Sequence, residues 1–354
     1  MFCIAAFIIL LLVGIVSAKY RRYAGKAWRC VWRKVTFRPC DTSFKEEIKG
    51  RLLARVAVKN PRLVKPVSVS LEIAAWLIVI LTVWSLFVAV KSGVNLYVYS
   101  TCNPSNAASC SLGGETCSIE TSQLSFIDSV KQFKVHVWIV NEFSEFGEAV
   151  AAIPTRMQNW QPEDYLPTNV TYLAKYDASK PTALEIIDPG CNVCQKLFNN
   201  IKVTNFDERY NLAYIAYPIS SGGNYRFANS LLVTQYLEAI RLHPLKQTDT
   251  PVDWQILVRI FTESDETGYQ YQSKFNSGLN HSEVVALLDS WLEEFGYNSN
   301  QIVIIKQTVV SNQVTETIAS NKDLVENRIK TVKIPTIIFD GRRYDGLVSA
   351  DKLN

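Results

Sequence analysis

The sequence predicts an α/β domain in residues 182–354, preceded by two N-terminal transmembrane helices. Three observations predict this architecture. Long apolar segments lie at the N-terminus and at residues 71–90; strand-length apolar runs alternate with helix-length amphipathic segments after residue 182; and a Cys-x-x-Cys pair stands where the first run gives way to a helix. Alternating strands and helices are typical of layered α/β folds.

The two apolar segments are long enough to cross a bilayer. A membrane-spanning helix needs about 20 apolar residues, and about 17 is the lower limit. Residues 71–90 contain one acid, Glu72, in the first turn, where it would lie at the membrane interface and cost little. For residues 1–18 a cleaved signal peptide is the alternative, since small residues end the segment at Ala18. No basic residue precedes its apolar run, so we predict a retained transmembrane helix.

Charge is distributed unevenly along the chain. Between Lys19 and Lys65 there are 15 Lys and Arg residues against 3 Asp and Glu, whereas beyond residue 95 there are 21 basic and 29 acidic residues. Basic residues that flank a membrane span mark its cytoplasmic side. We therefore predict a two-pass protein of the cell membrane, with the N-terminus outside, a basic cytoplasmic loop at residues 19–70, and residues 91–354 on the extracytoplasmic side. Topology and anionic lipid explain the basic loop, and no nucleic-acid partner is predicted.

The predicted topology separates the eight cysteines. Cys30 and Cys40 fall inside, where thiols are normally reduced, and the other six fall on the oxidising side. The extracytoplasmic loop of residues 91–123 holds three of the six, which have no even pairing among themselves. The candidates for structural disulfides are Cys102, Cys110, Cys117 and, near the outer end of the first span, Cys3. Exchange between one of the three loop cysteines and the Cys-x-x-Cys pair is the alternative.

The rest of the chain divides into a helical region and the α/β domain. Residues 124–181 have apolar residues at helical spacing and then a polar stretch with three prolines, which predicts a helical segment and a linker. Strands are predicted at residues 183–187, 212–217 and 332–339, the last followed by the hairpin signal Asp340-Gly341. Helices are predicted at residues 195–202, 227–242, 254–261, 282–295 and 320–329. Most of them form an insertion of about residues 226–330, between the second and third strands.

The chemistry of the Cys-x-x-Cys pair depends on its position at a helix start. Cys191 follows Pro189-Gly190, where the first strand ends, and Cys194 falls in the first helical turn. A cysteine at a helix N-terminus faces unpaired N–H groups and the positive end of the helix dipole. Such pairs lower the pKa of the first thiol from about 8.5 to between roughly 3.5 and 7. This spacing predicts Cys191 as the attacking thiol and Cys194 as the resolving thiol.

A zinc site and a structural disulfide are the two other interpretations of the pair. Zinc needs two further ligands. The sequence has no second Cys-x-x-Cys, and its three histidines, His136, His243 and His281, are far apart. We therefore predict no metal. A structural disulfide stays open on chemistry alone.

Three separate features resemble the thioredoxin superfamily. They are Cys191-Asn192-Val193-Cys194 after a strand, Glu185 six residues before the first cysteine, and Ile334-Pro335-Thr336. The resemblance implies that Glu185 is a buried acid that takes the proton of the resolving thiol, and burial would raise its pKa towards neutrality. It implies that Pro335 is cis, packs beside the sulfurs and belongs to a loop that pairs with substrate backbone. The residues expected to contact substrate are Ile334, Thr336, Asn192 and Val193.

The helical insertion is similar to that of DsbA-type thiol oxidoreductases, although Asn192-Val193 matches neither the Gly-Pro of thioredoxins nor the Pro-His of strong oxidants. We therefore expect a membrane-anchored thiol–disulfide oxidoreductase, an oxidase or isomerase of extracytoplasmic proteins that needs no cofactor. Its expected partners are protein thiols and disulfides, a membrane or soluble redox partner, and the lipid bilayer. The alternative is a non-catalytic thioredoxin-fold adaptor or assembly factor with a structural disulfide.

Overall fold

The computed structural model describes residues 61–106, 115–119, 125–221, 223–245 and 249–354, with a few isolated positions before residue 61. The chain divides into two compact units, one ending at Val90 and the other running from Lys91 to Asn354. The predicted first membrane span and most of the basic loop lie outside the described residues. The same holds for Cys3, Cys30, Cys40 and Cys110.

A single long apolar helix covers the predicted second span. Helix α1 runs from Val64 to Tyr99, directly after a 3-10 turn at Pro61–Leu63. Its 36 residues rise about 54 Å, more than the roughly 30 Å of a bilayer core. Among the described residues it is the one helix that could cross a membrane by length and composition. The structure thus contains one candidate span, and the predicted pair of spans stays a prediction.

Three helices follow in the second unit: α2 (Phe126–Lys131), α3 (Val135–Ala151) and α4 (Ile153–Met157). Helix α3 is joined to the end of α1 by ion pairs, because Lys91 Nζ lies 2.6 Å from Glu142 Oε2 and 2.5 Å from Glu145 Oε2. Residues predicted as a linker then lead to the sheet through a 3-10 turn at Pro162–Tyr165.

The centre of the second unit is a four-stranded mixed sheet. Its strands are β2 (Thr182–Ile187), β3 (Asn211–Ala216), β7 (Thr336–Phe339) and β8 (Arg342–Asp345). Their order in the sheet is β3-β2-β7-β8. Strand β2 is parallel to β3 and antiparallel to β7, and β7 is antiparallel to β8. Every residue of β2 and β3 is buried, which explains why their sequences are apolar runs without polar alternation.

The predicted Asp340-Gly341 turn is confirmed as the connection between β7 and β8. Phe339 pairs with Arg342, so the loop contains two residues. Both have positive φ, 48° for Asp340 and 70° for Gly341. A two-residue hairpin turn of this kind requires positive φ at both positions, which aspartate tolerates and glycine adopts freely.

Shorter strands lie outside this sheet. Cys117–Ser118 forms β1, Lys333–Ile334 forms β6, and Ser220–Ser221 and Asn224–Tyr225 form the hairpin β4–β5. Strand β6 and β7 replace the continuous strand predicted at residues 332–339. Pro335 separates them, because proline has no N–H to continue the ladder.

Helices surround the sheet, and most of them lie between β3 and β6. After β2 come α5 (Asn192–Val203) and α6 (Phe206–Arg209). The insertion contains α7 (Ser230–Leu242), α8 (Val252–Thr262), α9 (Tyr271–Ser273) with a π turn at Lys274–Gly278, α10 (His281–Glu294), α11 (Ser299–Val309) and α12 (Asn312–Asp323) with a π turn at Leu324–Ile329. The chain ends with α13 (Ala350–Leu353). Helix α11 was not predicted, and the helix predicted at residues 320–329 begins earlier.

One continuous hydrophobic core joins the sheet, α5 and the insertion. Trp254 of α8 illustrates this. Its ring packs edge-on against Tyr214 of β3, with 4.5 Å between ring centroids, and stacks beside Phe198 of α5, with 6.4 Å between centroids. The insertion is therefore part of the same folded body as the strands that carry the cysteine pair.

Candidate active site

The Cys-x-x-Cys pair lies at the start of α5, directly after β2. Cys191 is the N-cap residue, with extended backbone (φ −79°, ψ 118°), and α5 begins at Asn192. Cys194 lies in the first turn, and its Sγ is 3.5 Å from the backbone nitrogen of Asp188, which donates to it. Both cysteines have 0 % exposure. Cys191 and Cys194 thus lie at the N-terminal end of the helix, as the spacing implied.

The disulfide at this site does not join the two cysteines of the pair. Cys191 is bonded to Cys117, and Cys194 is a buried free thiol. From its sequence, Cys117 is a candidate for a structural disulfide, with exchange at the Cys-x-x-Cys pair as the alternative, and a bond to Cys191 is the pairing that this alternative requires. The physical reason is that β1 pairs with β6, which places Cys117 opposite Ile334 and beside the start of α5. Cys102 is disulfide-bonded, as expected of a structural cysteine.

Residues 115–119 form an additional short strand next to the active site. Strand β1 pairs antiparallel with β6, in the register Cys117 with Ile334 and Ser118 with Lys333. Ile119 N donates to Val332 O at 3.0 Å, and Leu347 N donates to Glu115 O at 2.8 Å, so both ends of the segment are bound. The next peptide bond after β6, Ile334–Pro335, is cis.

The residues expected to contact substrate are divided between the surface of the site and its interior. The carbonyl oxygen of Ile334 lies 4.0 Å from Cys191 Sγ and accepts a hydrogen bond from Thr116 Oγ1 at 3.2 Å. Asn192 is exposed, with Oδ1 4.0 Å from Cys117 Sγ, whereas Val193 is buried. Thr336 is also buried, and its hydroxyl donates to Lys333 O at 2.7 Å. The geometry therefore brings Ile334 and Asn192 to the sulfurs.

Glu185 is a buried carboxyl group without a hydrogen-bond partner. It lies in the middle of β2, is 1 % exposed, and neither of its carboxyl oxygens has a partner among the described residues. Burial raises the pKa of this group from 4.5 to about 8. The pKa of Cys194 is raised as well, first by burial and then by the charges of Glu185 and Asp188. Glu185 thus acts on Cys194 electrostatically and has a pKa suited to proton exchange near neutral pH.

Asp188, the residue after β2, belongs to the site and was not predicted from the sequence. Its carboxylate accepts hydrogen bonds from Ile219 N at 2.7 Å, from Gly190 N at 2.8 Å and from the hydroxyl of Ser230. Burial raises its pKa from 3.8 to about 6 despite these bonds. An Asp at a strand end, two residues before a Gly, is a sequence signal for such a turn. Asp188 holds the cysteine loop in place and adds a charge near Cys194.

Two amides from the insertion fix the same loop from the other side. Gln272 Nε2 donates to the carbonyl oxygens of Pro189 and Cys191, both at 3.0 Å. Asn276 Nδ2 donates to Gly190 O at 2.8 Å. These contacts link residues more than 80 positions apart, and no local pattern in the sequence indicates them. They explain how a loop that starts a helix can be buried with its carbonyl groups paired.

We expect Gly190→Ala to destabilise this loop and slow its chemistry. A Cβ at residue 190 would lie 2.5 Å from Cβ of Phe227 and 2.8 Å from Oδ1 of Asn276, so the insertion would have to move. Overpacking of this kind costs about 1–3 kcal/mol. Urea denaturation measures the loss, with Gly278→Ala as the matched control, since its Cβ would meet only side-chain atoms at 3.4 Å or more. Equal stability of the two variants would contradict the close approach.

No protein-family model and no curated protein matches this chain. Solved structures do match. A thioredoxin-like oxidoreductase from Silicibacter pomeroyi DSS-3 is 15 % identical with a TM-score of 0.37, over 52 % of this chain and 88 % of that one. The thiol-disulfide exchange protein alpha-DsbA2 from Wolbachia pipientis is 14 % identical with a TM-score of 0.35, over 51 % and 83 %. ScsC from Proteus mirabilis, in a compact conformation, is 14 % identical with a TM-score of 0.36, over 64 % and 93 %.

The strand order, the cysteine pair at the first helix after β2, the proline loop before β7 and the helical insertion occur together in this chain. This arrangement of strands, cysteine pair, cis-proline loop and helical insertion is the one that the sequence indicated. At identities of 15 % and below and TM-scores of 0.37 and below, these similarities assign neither a family nor a substrate to this chain.

Proposed function

We propose that this chain is a membrane-anchored thiol–disulfide oxidoreductase. Cys191 would exchange disulfides with protein substrates, and Cys194 would resolve the mixed disulfide. The observation that supports this most directly is the state of the two sulfurs. Cys191, at the N-terminus of α5, is in a disulfide with a strand-paired cysteine, while Cys194 in the first turn of the same helix is a free thiol. A mixed disulfide beside a resolving thiol has this arrangement.

The proposed reaction conserves electrons between substrate and enzyme. The Cys191 thiolate attacks one sulfur of a substrate disulfide, and the other substrate sulfur leaves as a thiolate. The Cys194 thiolate then attacks Cys191 Sγ, which forms the Cys191–Cys194 disulfide and releases the second substrate thiol. The substrate is thereby reduced and the pair oxidised. In the reverse direction two substrate thiols are oxidised and the pair is reduced.

Proton transfer at Cys194 is the step that the buried acids would serve. Burial raises the pKa of the Cys194 thiol, so its attack on Cys191 requires a base close by. The charge of Glu185 raises the pKa of Cys194, and burial raises the pKa of Glu185 itself to about 8, so Glu185 would take this proton and return it near neutral pH. The hydrogen bonds of Asp188, Gln272 and Asn276 would keep the cysteine loop fixed during both attacks.

We also propose that the active site faces the extracytoplasmic side, where oxidation or isomerisation of secreted proteins takes place. Helix α1 would be the second of two membrane spans, and the basic residues before it would lie in the cytoplasm. A membrane or soluble redox partner would then restore the oxidation state of the pair. An oxidising compartment also fits the disulfides at Cys102 and Cys117.

A thiol-exchange assay on the full chain in detergent micelles tests the proposed activity. We expect the protein to oxidise a reduced dithiol peptide or to reduce insulin, and Cys191→Ser to abolish turnover. Cys194→Ser should be unable to resolve a mixed disulfide at Cys191, so it should not turn over. Cys40→Ser, which removes a cysteine from the basic loop, is the control and should turn over normally. Full turnover by Cys191→Ser would exclude the proposed mechanism.

The buried disulfide also favours a second candidate, a non-catalytic adaptor in which Cys117–Cys191 is structural. Both of its cysteines are almost fully buried, as is common for structural disulfides. The same assay separates the two functions. An adaptor would show no turnover in any variant, and its disulfide would resist mild reductant, with a potential below about −300 mV.

A further inference from the structure

Residues 115–119, defined here as the docked segment, lie where a substrate strand would reach Cys191. We propose that the docked segment is an internal substrate, and that Cys117 is a third redox-active residue that stores the disulfide and yields it to Cys191–Cys194. This inference rests on the proposed oxidoreductase function and adds to it a self-occupied resting state.

The docked segment is bound as a peptide strand would be. Its backbone pairs antiparallel with Lys333 and Ile334, and further backbone hydrogen bonds from Ile119 N and Leu347 N extend the pairing on both sides of Cys117. Strand addition of this type derives affinity from main-chain hydrogen bonds and specificity from alternate side chains. The cysteine of the strand is the residue that is bonded to Cys191. The docked segment therefore combines the backbone pairing and the sulfur contact required of a substrate.

The docked segment also closes the site to other molecules. With it in place Cys191 and Cys194 are fully buried, and Cys117 itself is 4 % exposed. Disulfide exchange requires the attacking thiolate to reach a sulfur atom. An external thiol therefore has no path to Cys191 until the docked segment leaves, whereas Cys194 lies in the same helical turn.

The exchange that opens the site needs no external oxidant. The Cys194 thiol loses its proton to the ionised form of Glu185, and the thiolate attacks Cys191 Sγ. The Cys191–Cys194 bond forms, the Cys117–Cys191 bond breaks, and Cys117 leaves as a thiolate that takes a proton from solvent. One disulfide is present before and after the step, so no net oxidation occurs. The reaction is reversible, and a protein thiol then competes with Cys117 for Cys191.

The position of the free thiol distinguishes this arrangement from a structural disulfide. Residues three apart on a helix are neighbours on its surface, with about 5–6 Å between their Cβ atoms. Cys194 is thus next to one sulfur of the bond and is the free cysteine among the described residues. A disulfide that lies beside a buried thiol and an unpartnered acid has everything needed for internal exchange. A purely structural bond would need none of these groups.

The internal thiol has a concentration advantage over a substrate. A cysteine tethered within the same chain has an effective concentration in the millimolar range. A substrate at about 0.1 mM would therefore be outcompeted about tenfold. We expect Cys117→Ser to raise the initial rate of peptide oxidation about tenfold over the wild type. Cys40→Ser, which leaves the docked segment intact, should keep the wild-type rate.

Disulfide mapping of the full chain tests the stored state. After acid quenching and alkylation, the oxidised wild type should give the Cys117–Cys191 linked peptide together with alkylated Cys194. In a glutathione buffer a part of the wild type should convert to Cys191–Cys194. Cys194→Ala removes the resolving thiol, so it should hold only the Cys117–Cys191 bond, in a larger fraction of molecules.

The outcomes separate this inference from the proposed function. If the wild type contains only Cys191–Cys194 and Cys117→Ser oxidises peptide at the wild-type rate, the internal substrate is refuted and the oxidoreductase stands. If Cys117–Cys191 is found but neither the wild type nor Cys117→Ser turns over, the oxidoreductase is refuted and the bond is structural. A faster Cys117→Ser with the Cys117–Cys191 bond in the wild type supports both.

Discussion

Replacing Glu185 with glutamine is expected to stabilise the protein by about 3 kcal/mol at pH 7 while slowing thiol exchange. The stability effect follows from the environment of the carboxyl group. Glu185 is buried without a hydrogen-bond partner, and its pKa rises from 4.5 to about 8. Burial of this carboxyl group lowers the stability of the fold, and a buried acid with a shifted pKa is typical of a catalytic site.

The sign of the effect depends on where the proton is held. Between about pH 4.5 and 8 the folded protein keeps a proton on Glu185 that the unfolded chain has released. The free energy of unfolding therefore falls as the pH rises through this window, by about 1.4 kcal/mol per pH unit. Below pH 4.5 Glu185 is protonated in both the folded and the unfolded state, so its burial no longer lowers the free energy of unfolding. Glutamine has no proton to release, so the variant should lack this slope.

The measurement is urea denaturation of the wild type and Glu185→Gln at about pH 4, 7 and 9. The two curves should coincide at the lowest pH and separate as the pH rises. Glu238→Gln is the matched control, because Glu238 is equally buried but accepts a hydrogen bond from Arg241 at 3.1 Å. That variant loses an ion pair and should be less stable than the wild type at pH 7. Parallel pH profiles for the wild type and Glu185→Gln would contradict the buried-acid interpretation.

The same substitution should reduce activity at the step that uses Cys194. Glutamine cannot accept a proton, and loss of a general base typically slows a reaction by about 10²–10⁴-fold. We expect release of the mixed disulfide to slow by about 10²-fold at pH 7, with little change in the first attack by Cys191. A rate that rises with pH in the variant, as hydroxide replaces the base, would distinguish proton transfer from a general loss of structure.

Local chemistry explains which parts of the fold could be predicted from the sequence. Strands β2 and β3 are buried on both faces, so their residues form apolar runs that stand out in the sequence. The turn at Asp340-Gly341 is specified by two residues whose backbone tolerates positive φ. The start of α5 at Asn192 is marked by Pro189-Gly190 and the cysteines. Each of these signals lies within a few residues of the feature that it predicts.

Helix α11 shows why a local signal can be missed. Its sequence, SNQIVIIKQTV, has a run of β-branched residues that suits a strand as well as a helix. The deciding feature is the capping box, in which Asn298 accepts from Gln301 N while the side chain of Gln301 accepts from Asn298 N. The Asn-x-x-Gln pattern was present in the sequence. The helix Ser299–Val309 was therefore predictable from its N-terminus, although not from its hydrophobic periodicity.

The parts of the site that could not be predicted depend on contacts between distant residues. Cys117 lies 74 positions before Cys191, and from the sequence it was one of four candidates for structural disulfides, with exchange at the cysteine pair only as the alternative. Only the antiparallel register of β1 with β6 brings it to the active site. Gln272 contacts the cysteine loop from a short helix and Asn276 from a π turn, and neither element has a sequence motif. Contacts between distant residues depend on the whole fold, so no pattern in the neighbouring sequence indicates them.

Replacing Arg241 with alanine is expected to destabilise the second unit by about 3–5 kcal/mol. Arg241 is fully buried in α7, and its guanidinium group contacts Glu238 Oε1 at 3.1 Å and Asp253 Oδ2 at 2.9 Å. It also donates to the carbonyl oxygen of Tyr214 in β3 at 3.2 Å, with the tyrosine ring 4.0 Å away. One side chain thus joins two insertion helices to the central sheet.

The large cost arises from what the truncation leaves behind. Without Arg241, Glu238 and Asp253 would be two buried carboxylates in a site with little water, each without its cation. Asp253 would keep hydrogen bonds from Tyr214 and Thr171, which reduce the penalty but do not neutralise the charge. Because the insertion supplies the amides that fix the cysteine loop, its weakened attachment should also slow thiol exchange.

Urea denaturation of Arg241→Ala measures the loss in free energy of unfolding, and Lys306→Ala is the matched control. Lys306 forms an ion pair of similar length, 2.7 Å to Asp289, but its side chain is 45 % exposed. Exposed pairs contribute about 0–1 kcal/mol because water and salt replace the lost partner. Arg241→Lys should fall between the two, since lysine keeps the charge but cannot contact both carboxylates and the carbonyl group together. A loss for Arg241→Ala no larger than that for Lys306→Ala would mean that the carboxylates find water, and that the insertion is attached to the sheet by apolar packing alone.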